Sequence, residues 1–206
     1  MRPDLHHPAG FLRAFTLTLA IVLLSACSSP GTTSFYLLEG GAGPRPETTP
    51  RAGPILGLRE IALPLYARRP QIASLQPGGI VTLSDDHRWA EDPGRAVSRM
   101  VARNLTTAAG IPVLLEPWPN GVTPDLRLEV EIDYFIGSLD GALRLEGEYH
   151  LANIGAFDRP TTRPFAITTP VEPAPENPYG ALVAAHATAL GMLSTRIAED
   201  ITALAN

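Results

Sequence analysis

The chain has no lysine, and Cys27 is the single cysteine among its 206 residues. Without lysine, Schiff-base formation and a lysine general base are excluded, and every fixed positive side-chain charge comes from arginine. A lone cysteine has no partner for an internal disulfide. His87, His150 and His186 lack the spacing of metal ligands. The sequence therefore predicts neither a metal centre nor a cofactor site.

Motifs for nucleophilic catalysis and for phosphate binding are missing as well. No Gly-x-Ser-x-Gly occurs, and the glycine-rich stretch 40–43 runs into prolines and opens no helix. The acidic cluster at 85–86 and 91–92 lacks the spacing of calcium ligands. A formal net charge of −5 argues against a nucleic-acid partner. We therefore expect no catalytic residues, which disfavours an anchored hydrolase.

Long hydrophobic runs are scarce, and the clearest one lies near the N-terminus. Residues 14–24 are mostly apolar and follow a positively charged start that contains Arg2 and Arg13. Such a run is shorter than the roughly 20 residues that span a membrane, but it is typical of a signal-peptide core. Charged residues and prolines interrupt the other apolar runs, so we expect no other membrane-spanning stretch.

The run Leu24-Ser25-Ala26-Cys27 resembles the bacterial lipobox, in which the cysteine is lipidated and becomes the first mature residue. We therefore predict a lipoprotein signal peptide at 1–26 and attachment of acyl chains such as palmitate at Cys27. Several acyl chains hold a protein firmly on a membrane, since each buried CH₂ contributes ~0.8 kcal/mol. Ser28 and Ser29 follow the cysteine in place of an aspartate, which favours the periplasmic face of the outer membrane.

The mature chain is predicted to consist of a tether and one domain. Residues 27–53 are rich in Ser, Gly, Thr and Pro, which indicates a flexible tether. Within it, the apolar island at 34–38 predicts a short strand that docks on the domain. Residues 54–206 are enough for a single α/β domain with its own core.

Apolar periodicity in this domain predicts two antiparallel hairpins. Residues 126–135 and 143–151 alternate apolar and polar side chains on either side of an Asp-Gly turn, which is typical of a hairpin with one solvent-facing side. Turn residues at 76–79 predict a second hairpin between 71–75 and 80–83.

Capping signals predict two helices. Asp92-Pro93 is a good helix start and Gly110 a good stop, and the strand-like run 111–115 follows at once, which suggests a strand–helix–strand unit. Asn177-Pro178 begins a final helix with one apolar stripe. We therefore expect an α+β fold, a two-layer α/β sandwich in which two main helices pack on one face of a mostly antiparallel or mixed sheet.

Two predicted connections carry residue types that anchor protein interfaces. One, at 63–72, is bounded by prolines, and the other, at 86–91, lies just before the first predicted helix. Their candidate partner-binding residues are Tyr66, Arg68, Arg69, Gln71, Arg88 and Trp89. Trp89 could instead fill the edge of the sheet while Arg88 pairs with Glu91, and the sequence leaves both interpretations open.

The same stretches resemble the PqiC/YmbA family, the auxiliary lipoproteins of ABC-type and MCE-type transport systems. The shared pieces are the lipobox, Phe-Tyr-Leu-Leu at 35–38, Leu-Pro-x-Tyr-x-x-Arg-Pro-Gln-Ile at 63–72, Arg-Trp-Ala-Glu at 88–91, and Arg99 with Asn104 and Leu105. The chain departs from the family at Arg68, where an acidic residue is usual, and at Asp92, which separates Trp-Ala-Glu from the following proline.

This resemblance implies a non-enzymatic lipoprotein subunit that supports membrane integrity. It would work at the outer membrane with a periplasm-spanning MCE-type protein and its membrane permease, and together they would move phospholipid or another hydrophobic substrate between the membranes. A direct lipid-binding carrier and an outer-membrane assembly accessory lipoprotein are the alternatives. The substrate, the direction of transport and the number of copies, including a homo-oligomer, are not fixed by the sequence.

Overall fold

A computed structural model describes residues 32–39, 53–155 and 160–204. Cys27, the predicted signal peptide at 1–26 and most of the predicted tether lie outside the described residues. From Thr33 onward, the described residues belong to one compact unit.

Within the described ranges the chain forms eight strands and two α-helices, which confirms the predicted α+β class. In chain order the elements are β1 Ser34–Tyr36, β2 Leu56–Leu58, β3 Gln71–Gln76, β4 Ile80–Trp89, α1 Pro93–Ala109, β5 Val113–Leu115, β6 Leu126–Gly137, β7 Ala142–Asn153, β8 Thr161–Pro170 and α2 Pro178–Leu204. A single 3₁₀ turn, Pro77–Gly79, joins β3 to β4.

The strands form two mixed sheets, where we expected one. The small sheet has the order β1-β4-β3, with β1 parallel and β3 antiparallel to β4. The large sheet has the order β5-β2-β6-β7-β8, in which β2 is parallel to both of its neighbours. The strands on either side of α1 therefore belong to different sheets. Alternation indicates which residues face a core, but it does not identify the neighbouring strand.

Helix α1 begins and ends where its capping residues predict. The Asp92 carboxylate accepts a hydrogen bond from the backbone N–H of Arg95 at 2.9 Å, and Pro93 occupies the first turn. Gly110 ends the helix with a φ of 68°, a left-handed conformation that favours glycine. Val97, Val101 and Leu105 are buried, so this side of α1 faces the core.

Helix α2 packs against α1, β7 and β8. Leu182, Leu190, Leu193 and Ile197 are fully buried along its apolar stripe. By length and composition alone the helix could cross a membrane, contrary to our expectation for this part of the chain. The core helix of a globular domain meets the same criteria, and the buried stripe accounts for the apolar composition here.

The large sheet turns one side toward the core and the other toward solvent, but a β-bulge changes the phase within β6. The β6–β7 register shifts between Ile132 and Tyr134, so that Tyr134 pairs with Glu146 and Phe135 pairs with Leu145. Tyr134 consequently lies on the outer side, where its ring contacts the guanidinium of Arg144 at 4.5 Å. The simple alternation had placed Tyr134 on the apolar side.

Candidate docking surface

Three side chains form a row across the small sheet. Phe35 in β1 pairs with Arg88 in β4, and Arg88 pairs in turn with Gln71 in β3. Directly paired residues project to the same side of a sheet. Phe35 is 65% exposed, while Arg88 and Gln71 are half-buried. The row therefore presents an aromatic ring, a guanidinium and a carboxamide together, a set of groups that suits a protein interface.

The turn at 64–70 lies directly beside this row, because the backbone N–H of Trp89 donates to the Pro70 carbonyl at 2.8 Å. Two further backbone hydrogen bonds close the turn onto the Pro64 carbonyl. Arg68 and Arg69 are exposed on it. We define the arginine surface as the accessible members of the turn and the row: Phe35, Arg68, Arg69, Gln71 and Arg88.

The guanidinium groups of this surface are not neutralised locally. Within the ranges that the structure covers, no carboxylate forms an ion pair with Arg68, Arg69 or Arg88. Arg88 donates instead to the backbone carbonyl of Asp85 at 3.3 Å, and Glu91 pairs with Arg99 of α1. The pairing of Arg88 with Glu91 considered above is thus not formed, and the three charges are available to a partner carboxylate.

Arg88 and Trp89 belong to strand β4 and not, as predicted, to a connection, and Trp89 lies beneath the surface. Only 9% of Trp89 is exposed, and its ring meets the ring of His186 edge-on at 5.6 Å. Tyr66 is half-buried, and its hydroxyl accepts a hydrogen bond from the backbone N–H of Phe135 at 2.9 Å. These two aromatic residues hold β4 and the turn to the core, while the arginine surface lies outside them.

His186 is a packing residue of the junction between α2 and the two sheets. Burial lowers its pKa from the ordinary 6.5 to about 4, so the ring is neutral at physiological pH. Its Nδ1 lies 2.7 Å from the Leu182 carbonyl, and its ring meets Phe135 edge-on at 4.5 Å. The cavity beside it, which Trp89 also lines, measures about 10 Å³. That volume holds about one water molecule.

A second aromatic group, absent from the sequence-based set, fastens β1 to α2. The Tyr36 hydroxyl lies 2.9 Å from His87 Nδ1 and donates to Asn177 Oδ1, also at 2.9 Å. The His87 ring stacks on Tyr179 at 4.1 Å. We call these four residues the β1 clamp. Its members come from three distant parts of the sequence, so no local pattern could have identified them.

The comparisons with known proteins agree with this fold. Residues 36–198 match a family model described as ABC-type transport auxiliary lipoprotein component. A crystal structure of an uncharacterized protein is 22% identical, covers 82% of this chain and 99% of its own, and gives a TM-score of 0.65. A Xanthomonas campestris protein of family DUF330 is 18% identical, covers 81% of this chain and 93% of its own, and gives a TM-score of 0.63. Among curated proteins, none matches the chain.

Proposed function

This chain belongs to the family of ABC-type transport auxiliary lipoprotein components, as its resemblance to PqiC/YmbA proteins predicted, and from that premise we propose its specific role. It acts as the outer-membrane-anchored subunit of an MCE-type intermembrane lipid transport system. Family membership supports a lipoprotein that serves a transporter without catalysis. The outer-membrane location, the MCE-type partner with its permease and the phospholipid cargo are the finer parts of the proposal.

The lipid anchor keeps the domain at the membrane. Acyl chains on Cys27 would hold it there, and the serines at 28 and 29 favour the periplasmic face of the outer membrane. A partner that crosses the periplasm can then bind the domain at a fixed position on this membrane. The domain itself contributes a surface for docking or for receiving cargo.

The arginine surface is the observation that carries the docking role. It combines three guanidinium groups that form no ion pair with any described residue and an exposed phenylalanine. Charged groups of this kind favour a partner with complementary charge, and the aromatic ring adds an apolar contact. We therefore expect the MCE-type partner to present carboxylates around an apolar pocket. Several copies around one partner would form a ring of such surfaces, and the native mass of the complex would count them.

A direct carrier that encloses lipid between helices and sheet receives little support from the described residues. The cavity at that junction measures about 10 Å³, whereas pockets for small molecules occupy roughly 300–1,000 Å³. A depression of about 430 Å³ does occur elsewhere, but its lining, which includes Ala108 and Thr195, comes from the two helices and includes no strand residue. Saturable binding of a fluorescent phospholipid to the isolated protein would favour the carrier over the docking subunit.

Photocrosslinking from Phe35 tests the docking role in cells. A benzoyl-phenylalanine at position 35 replaces one exposed aromatic side chain with another and should form a covalent adduct with an epitope-tagged MCE-type protein. The same group at Thr168, which is exposed on β8 of the large sheet, serves as the control. Adducts from both positions in equal yield, or from position 168 alone, would contradict the proposal. Adducts with an outer-membrane assembly protein would favour that alternative.

A further inference from the structure

The β3–β4 hairpin ends in an apolar and uncharged tip. Ile80, Val81 and Leu83 are 63%, 41% and 39% exposed, an unusual concentration of exposed branched aliphatic side chains. No charged residue occurs between Arg69 and Asp85, although charged residues make up 18% of the chain. We define the hairpin tip as residues 76–83. Its composition is that of a surface which leaves water for an apolar environment.

The hairpin tip lies at the end of the small sheet from which the chain enters β1. β1 is parallel to β4, with Ser34 beside His87 and Tyr36 beside Trp89. The N-terminal end of β1 therefore faces the end of the sheet at which β4 starts, next to the tip. Since Cys27 precedes β1, the anchored end of the chain begins from this side.

The segment between Cys27 and β1 is also long enough for Cys27 and the hairpin tip to reach one membrane. The row that contains Gln71 and the rung formed by Gln76 and Ile80 are separated by five residues of β3, which corresponds to about 17 Å. Cys27 precedes Phe35, a member of the same row, by eight positions, which span up to about 27 Å when extended. The segment is thus long enough to bring the acyl chains of Cys27 level with the hairpin tip.

We propose that the hairpin tip inserts into the interface of the same lipid bilayer that holds Cys27, as a second membrane contact. The inference rests on the proposed lipid attachment at Cys27. Insertion is shallow, because the polar backbone of the turn at 77–79 would lose its hydrogen bonds in the hydrocarbon core. Ile80 and Val81, next to the turn, reach the acyl boundary, Leu83 lies at the level of the headgroups, and Asp85 and Asp86 stay on the aqueous side.

Two contacts orient a domain that a single lipid anchor would leave free to rotate. With the tip in the membrane, the arginine surface is held about 17 Å from it along β3, clear of the lipid headgroups and turned toward the periplasm. The tip thus orients the arginine surface toward a partner that arrives from the other membrane. A second copy of the chain or a protein partner would cover the tip without any need for lipid.

A probe at position 80 of the full, lipidated protein tests the inference. Acylation consumes the thiol of Cys27, so Ile80→Cys supplies a unique site for an environment-sensitive fluorophore. In phosphatidylethanolamine–phosphatidylglycerol vesicles, we expect a blue-shifted emission that doxyl-labelled lipids quench several-fold more strongly than at the control position. Met192→Cys on α2 is the matched control, because Met192 is an exposed apolar residue at 48% exposure.

Each outcome separates this inference from the proposed anchor. Equal, weak quenching at both positions in protein that floats with the vesicles would overturn the insertion and leave the anchor intact. Failure of the wild-type protein to float would overturn the anchor itself, and the insertion with it. Shielding of the probe that depends on protein concentration and not on lipid would identify a second copy as the occupant and contradict the inference. A double variant, Ile80→Asp with Val81→Asp, should still float but lose the lipid contact of a probe at Leu83→Cys.

Discussion

The large and the small sheet of this domain differ in how completely they are packed. In the large sheet, Leu128, Leu143, Leu145 and Leu151 are fully buried on the side that faces the helices. In the small sheet, the first residues of β4 are exposed on both sides. Since buried apolar area dominates the stability of a fold, we assign stability to the large sheet. The small sheet is free to serve recognition.

The two sheets also differ in how their arginines are paired with carboxylates. On the outer side of the large sheet, arginines have carboxylate partners, as in the pairs of Arg127 with Glu129 and of Arg144 with Glu146. The arginine surface of the small sheet has none among the described residues. Exposed pairs contribute little to stability, but they do remove charge from the surface. The difference is consistent with the proposal that a partner supplies carboxylates to the arginine surface.

A truncation in the large sheet should have the largest effect on stability. Leu145→Ala leaves a cavity under the helices, and we expect it to lower the free energy of unfolding by roughly 2–5 kcal/mol. Ile80→Ala in the small sheet should stay within about 0.5 kcal/mol, because the side chain is mostly exposed. Urea denaturation followed by circular dichroism measures both. Equal losses would contradict the division between the sheets.

Lowering the pH should reduce the free energy of unfolding through His186, which lies at the junction of the two sheets. Its pKa in the folded chain, about 4, lies below the ordinary 6.5, so the unfolded chain binds a proton more readily in this window. The stabilising effect of the neutral ring is complete above pH 6.5 and is lost as the pH falls toward 4. One pKa unit corresponds to 1.36 kcal/mol, so the loss is on the order of 2–3 kcal/mol.

The control for this effect is His186→Leu, which keeps an apolar group between Trp89 and Phe135 but cannot take up a proton. The free energy of unfolding of the wild type minus that of the variant should fall between pH 6.5 and pH 4. A difference that does not change with pH would show that His186 is not the group responsible.

Loosening the β1 clamp should produce a smaller, local effect. Tyr36→Phe removes the hydroxyl that contacts His87 and Asn177, and we expect a loss of about 1 kcal/mol. Amide hydrogen exchange should accelerate in β1 and at His87–Trp89, while β6 and β7 stay protected. Tyr179→Phe is the control, because it keeps the stacked ring and removes a hydroxyl with no hydrogen bond among the described residues. Similar acceleration in both variants would argue against the hydroxyl contacts.

What the sequence could predict depended on how local each feature is. The Asp92 cap, the Gly110 stop and the turn at 77–79 are set by residues within a few positions of one another, and each is found as predicted. The antiparallel pairs of β3 with β4 and of β6 with β7 follow from alternation and an adjacent turn.

Features that depend on distant contacts could not be predicted from single-sequence patterns. The separation into two sheets depends on the pairing of β1 with β4 and of β2 with β6. The alternation of apolar and polar residues carries no information about which strands pair. The sequence left open whether Trp89 is buried, because its contact with His186 joins positions that are far apart in the chain. Four of the predicted partner-binding residues, Arg68, Arg69, Gln71 and Arg88, lie together on the arginine surface, and their role stays a prediction. Phe35 and the β1 clamp were not among the residues that the sequence singled out.

The most direct test of the docking role compares two double charge reversals in binding to the MCE-type partner. Arg68→Glu with Arg69→Glu alters the small sheet, and Arg95→Glu with Arg103→Glu makes the same charge change on exposed positions of α1. The account predicts that the first weakens binding at least about tenfold, or 1.4 kcal/mol, by slowing association and removing charge contacts, while the second leaves it near the wild-type value. Equal weakening by both, or unchanged binding for the first with the fold intact, would contradict a docking surface on the small sheet.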